Sequence, residues 1–66
     1  MLSESDKDKA ENVLTELLLA AMSAPEHVKS SFVDMANGVA DALEPERIER
    51  AKQYAMFRFK NMVDSK

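Results

Sequence analysis

The amino-acid sequence predicts an all-α fold, a small three-helix antiparallel (up-down-up) bundle completed by dimerisation, with residues 1–66 as one domain. Three observations lead there. Apolar residues recur at helical spacing along the whole chain, and no segment alternates as a half-buried strand would. Pro25 and Pro45 divide the chain into three stretches of similar length. Proline suits the first turn of a helix and disfavours helix in the residue before it, so each reads as a helix start. Short turns between helices of matched length favour antiparallel neighbours.

The first helix is expected over residues 5–23. Ser3 or Ser5 serves as N-cap, and Asp6 and Asp8 complement the positive end of the helix dipole. Ala10, Val13, Leu14, Leu17, Leu18 and Ala21 form its core stripe. Leu19 falls on the opposite side and Met22 at the edge, so this helix is apolar beyond the needs of one core.

The second helix is expected over residues 25–43, with Val28, Phe32, Met35, Ala36, Val39 and Leu43 on one stripe. Gly38 interrupts it at a cost of about 1 kcal/mol relative to alanine. The stripe keeps its phase from Phe32 to Leu43, so a continuous helix is favoured, with Gly38 permitting a close helix crossing.

The third helix is expected over residues 45–63. Ile48, Ala51, Ala55, Phe59 and Met62 make its core stripe, and Glu46 with Arg50 forms an i,i+4 pair. The tail from Asp64 to Lys66 should fray.

Sixty-six residues bury only a modest core, and short natural chains commonly add disulfides, a structural metal or a second subunit. There is no cysteine, and His27 is the single histidine, so oligomerisation is the remaining route. The chain is 45% hydrophobic and 32% charged, too apolar for a disordered tail. Its longest apolar run, Leu17 to Met22, is too short to span a bilayer. The acidic N-terminus is unlike a secretory or transit signal, which with the absence of cysteine points to a cytoplasmic location. The initial Met1 suggests a complete small gene product, of the kind common among accessory proteins of bacteria and phages.

Charge is uneven. Residues 1–23 set Glu4, Asp6, Asp8, Glu11 and Glu16 against Lys7 and Lys9. Residues 24–44 set Glu26, Asp34, Asp41 and Glu44 against Lys29. Residues 45–66 reverse the balance, with Arg47, Arg50, Lys52, Arg58, Lys60 and Lys66 against Glu46, Glu49 and Asp64. The simpler explanation is a positive helix beside acidic helices of the same bundle. The other is an external acidic ligand.

Residues able to carry chemistry are sparse. His27 beside Glu26 cannot complete a metal site, the serines lack a convincing base, and no glycine-rich loop could cradle phosphate. No enzyme activity, cofactor, metal or small-molecule substrate is expected. The informative surface is instead the side of the third helix away from its core stripe, where Arg47, Arg50, Tyr54, Phe57, Arg58 and Asn61 gather. Arginine with aromatic residues is the composition of interface hot spots and of nucleic-acid-stacking surfaces. The reading it favours is a non-enzymatic protein-protein interaction module, an adaptor or inhibitor of a larger protein. Its partners would be that protein and a second copy of the chain. Met22 and Met56 are further candidates for an interface.

Residues 39–51 resemble a degenerate helix-turn-helix, with Val39-Ala40 and Leu43 before the turn and Ile48 anchoring the second helix. A DNA-binding regulator is therefore the alternative. The turn before Pro45 is short and lacks glycine, and Glu46 and Glu49 would face phosphate.

Overall fold

A computed structural model of the protein describes residues 2–64, which form three helices and no strand. They are α1 (Glu4–Ser23), α2 (Glu26–Ala40) and α3 (Pro45–Asp64). The described part of the tail, Asp64, belongs to α3, and residues 65–66 lie outside the described residues.

Local chemistry sets the boundaries. The Ser3 hydroxyl caps α1 by accepting from the Asp6 backbone N–H at 3.1 Å, which selects Ser3 over Ser5 as N-cap. Pro25 caps α2 without a side-chain bond, its carbonyl accepting from the N–H groups of Val28 and Lys29. The Glu44 carbonyl does the same at the start of α3 for Arg47 and Ile48.

α2 is continuous through Gly38 but stops at Ala40, short of the expected residue 43. Pro45 disfavours helix at Glu44. Upstream, the Ala42 and Leu43 N–H groups donate to the carbonyls of Val39 and Ala40, tightening the backbone into i→i+3 turns. That turn carries Leu43 into the core beside Leu14, Ala36 and Ala51. Ala10, Leu17, Leu18, Val39, Ala40 and Ile48 pack around this cluster.

α1 packs against both other helices, whereas α2 and α3 make only marginal contact with each other. The Cα envelope is accordingly flattened, 40 × 25 × 16 Å. This arrangement explains two departures from the expected core. Leu17, Leu18 and Leu19 point about 100° apart in succession, yet all three are half-buried or buried, so α1 buries an arc of roughly 200°. A helix touching one neighbour needs far less. Leu19, expected opposite the core, is therefore 8% exposed, and Val13, expected within it, lies outside the arc and is 49% exposed.

Thr15 joins the buried set because its hydroxyl is satisfied within the helix, donating to the Glu11 carbonyl at 3.0 Å. α2 and α3 each have one principal neighbour and bury narrower strips. Met35 is exposed beside the buried Ala36. Burial along α3 ends at Phe59, which is itself half-buried, so Met62 is also exposed rather than core.

Candidate interaction surface

The α1–α3 interface begins with small side chains. Ala51 and Ala55, one turn apart on α3, are 1% and 0% exposed, so the α3 backbone lies close to its neighbour. The long basic side chains flanking this strip then reach carboxylates on α1.

Arg47 is the most engaged. Its Nη2 donates to Glu4 Oε2 at 2.6 Å, and its Nη1 donates to Asp8 Oδ1 at 2.8 Å and Glu11 Oε1 at 3.0 Å. Arg50 forms a two-pronged contact with Glu11, Nε to Oε2 and Nη2 to Oε1, both at 2.8 Å. Farther along α3, Arg58 Nη1 donates to Glu16 Oε1 at 2.6 Å. Lys7 Nζ ties α1 to the α2–α3 turn by donating to Glu44 Oε1 at 3.0 Å.

The charge asymmetry of the sequence is thus largely absorbed within the subunit, with all three arginines of α3 meeting acids of α1. Arg47 is satisfied by three carboxylates and its side chain is only 13% exposed. Arg50 and Arg58 remain solvent-accessible while paired.

These pairs move the titration of their members. Hydrogen bonding to Arg50, helped by Arg47, holds the Glu11 carboxyl below its ordinary value of 4.5, against an opposing effect of burial. The Lys7 hydrogen bond likewise holds Glu44 low. Donating hydrogen bonds to carboxylates, Arg47 to Asp8, Arg50 to Glu11 and Arg58 to Glu16, raises the guanidinium values.

A carboxyl whose pKa is lower folded than unfolded stabilises fully above the unfolded value and loses that contribution as pH falls through the folded value. Glu11 and Glu44 therefore predict a stability that is flat above the ordinary carboxylate range and declines below about pH 4.5. Urea midpoints measured from about pH 6 to about pH 3 check this. Replacing both Arg47 and Arg50 by methionine should flatten the part of the decline that belongs to Glu11. An unchanged pH profile in that variant would show that the pairs do not couple to folding.

The remaining expected site residues form an outward flank. Arg50, Tyr54, Phe57, Arg58 and Asn61 fall within an arc of roughly 100° on α3. Tyr54 is 53% exposed and Phe57 61% exposed. The Arg58 guanidinium stands over the Tyr54 ring, 5.8 Å from its centroid, while its Nη1 donates to Glu16. That geometry fixes the Tyr54–Arg58 pair before any partner arrives. Asn61 is exposed one turn beyond Phe57.

A second flank received less weight from the sequence. Lys52, Met56, Lys60 and Val63 follow one another at helical spacing and are all exposed. Met56 and Val63 are 61% and 54% exposed. The signal was present as an i, i+4, i+8 series, but its single large apolar member in the middle of two lysines reads as ordinary solvated helix.

The α2–α3 connection runs over residues 41–44, longer than the turn inferred from the sequence. No pocket opens among the described residues, and no group of three or more His, Asp or Glu side chains there is placed to hold a metal. No helix is long and apolar enough to cross a membrane. In comparison with known proteins, the chain matches no family model, no curated sequence and no solved structure.

Proposed function

We propose that the protein is a non-enzymatic protein-protein interaction module of the cytoplasm, an adaptor or inhibitor that docks the outer flank of α3 onto a larger protein. The observation that carries this reading is the exposure of Phe57 and Tyr54 beside a pre-positioned Arg58. Two large aromatic faces and a guanidinium on a rigid helix can bury substantial apolar area at small entropic cost. Arg50 and Asn61 supply polar contacts at the rim. Arg47 has a different role in this reading, holding α3 on α1.

An up-down-up arrangement of the helices belongs to the same proposal. It is supported by the ion pairs, which climb α1 and α3 in the same order, from Arg47 with Glu4 to Arg58 with Glu16. Self-association belongs to it too, supported by the number of large apolar side chains left exposed in so short a chain. Docking to protein is favoured over DNA because carboxylates beside the α3 arginines offset the positive potential that phosphate binding needs, whereas burial of Tyr54 and Phe57 does not depend on that potential.

Tyr54→Ala and Phe57→Ala should leave helical content and melting behaviour close to wild type, since both side chains are mostly in solvent. Each should weaken binding to a purified partner by roughly 30-fold or more, the effect of losing a hot-spot aromatic. The partner is first identified by cross-linking in the source cell and then titrated by calorimetry. Binding that is unaffected in both variants would remove the docking role. Salt-sensitive binding of a random DNA duplex, weakened by Arg50→Ala and Arg58→Ala, would transfer the function to nucleic acid.

A further inference from the structure

We propose that two copies of the chain associate by laying the Lys52–Met56–Lys60 flank of α3 on the Asp34–Gly38–Asp41 face of α2 in the other copy, a contact made twice about a twofold axis. The inference deepens the self-association described above and leaves the Tyr54–Phe57 flank free for a different partner.

Both faces are left unused within the subunit. α2 and α3 barely touch, and neither Asp34, Asp41, Lys52 nor Lys60 takes part in any ion pair among the described residues. All four are exposed. The acids of α1, by contrast, are largely neutralised by the arginines of α3, so an unneutralised acidic face is left on α2 and the two unpaired lysines on α3, where Glu49 at the N-terminal edge of the same flank offsets part of their charge. Opposite charges therefore remain on two helices that do not meet in one subunit but can meet between two.

Shape agrees with charge. Asp34, Gly38 and Asp41 share one stripe of α2, and Asp41 keeps helical backbone angles although it follows the last helical residue. A Cβ built on Gly38 would meet nothing within 4 Å, so nothing inside the subunit requires glycine there. A glycine on an exposed helix face weakens the helix and leaves a shallow notch that a neighbouring side chain can enter. On α3, Met56 is an exposed, flexible apolar side chain one turn from a lysine on each side. Asp34 and Asp41 are about 10 Å apart along α2, and Lys52 and Lys60 about 12 Å apart along α3. Met56 can thus enter the notch at Gly38 while both lysines reach carboxylates.

Because the contact is isologous, reversing the charge of one face in each of two variants makes them complementary. Sedimentation equilibrium of the full chain over micromolar to millimolar concentration is expected to show twice the 7.4 kDa subunit mass. Asp34→Lys with Asp41→Lys, and separately Lys52→Glu with Lys60→Glu, should each weaken self-association by about a hundredfold or more with helical content retained. Mixing the two variants should restore a dimer, both contacts again pairing opposite charges. Gly38→Leu fills the notch from a position with open space around it, and should abolish the dimer while keeping the fold. It serves as the decisive variant if a charge-reversed chain fails to fold. Tyr54→Ala with Phe57→Ala should dimerise normally. A wild-type chain that stays monomeric, a dimer that survives Gly38→Leu, or charge-reversed variants that fold but do not pair on mixing would each overturn the proposal. Loss of the dimer on removing Tyr54 and Phe57 would also overturn it, and would assign self-association to the aromatic flank.

Discussion

Leu14→Ala leaves most of the protein unfolded at ambient temperature. Leu14 is 2% exposed and is the largest fully buried side chain among the described residues. It sits with Ala36 of α2, Leu43 of the connecting turn and Ala51 of α3, so one truncation loosens every junction of the fold. Removing a buried leucine side chain costs about 2–5 kcal/mol, depending on how far the surroundings collapse into the space. The neighbours here include two alanines that have little to offer in filling it. A core of this size supplies only about 3–5 kcal/mol of net stability, so the loss consumes most of it. Urea denaturation followed by circular dichroism checks the expectation. Val13→Ala, one residue away but about half exposed, should cost far less than Leu14→Ala. Equal effects at the two positions would mean that α1 is rotated from the orientation described.

Ala55→Leu destabilises for the opposite reason. Ala55 is fully buried where α3 approaches its neighbour, and leucine would add a branched side chain where no solvent-filled room exists. Overpacking of this kind costs about 1–3 kcal/mol. For a domain of this length that corresponds to a fall in Tm of about 5–20 °C. The displacement should also draw Arg47 and Arg50 away from Glu11, whose carboxyl they hold low, so the acid-side decline in stability should shrink together with Tm. A thermal scan at neutral pH and another near pH 4 measure both. Ala55→Gly offers a comparison that keeps the space but lowers helix propensity by about 1 kcal/mol.

Much of this fold was legible in the sequence, because the features that set it are local. Pro25 as N-cap started α2, Pro45 as first helical residue started α3, Ser3 started α1, and a stripe that keeps phase across Gly38 marks a helix that continues there. What periodicity does not contain is the number of neighbours a helix has. A single-core stripe leaves Leu19 on the far side of α1, and hydropathy gives no sign that Thr15 is buried, since its hydroxyl is satisfied by the Glu11 carbonyl within the same helix. Periodicity carries α2 past its actual end because Leu43 keeps the apolar phase although the backbone has already tightened into a turn.

The surface divides in the same way. Exposure of Tyr54 and Phe57 followed from their angular distance from Ala51 and Ala55, which sequence supplies. The engagement of Arg47 did not. Arg47 and Arg58 lie only about 20° apart on α3, and the register against α1 gives one of them three carboxylates and the other a single one. Charge balance anticipated that α3 would neutralise an acidic helix, without saying which of its side chains would remain available.

The connectivity of the helices has a consequence for how the protein opens. A bundle in which every helix touches the other two is a closed ring of contacts, and undoing one contact leaves each member still held by another. Here the contacts form an open line with α1 in the middle, since α2 and α3 scarcely meet. Either outer helix can therefore detach while the other stays docked, and only the loss of α1 dissolves the whole. The lowest-energy excursions of the native state are then two separate partial openings, one freeing α2 and one freeing α3. Any partner that grips both outer helices closes the line into a ring, and it stabilises the protein by linking two motions that the isolated subunit leaves independent.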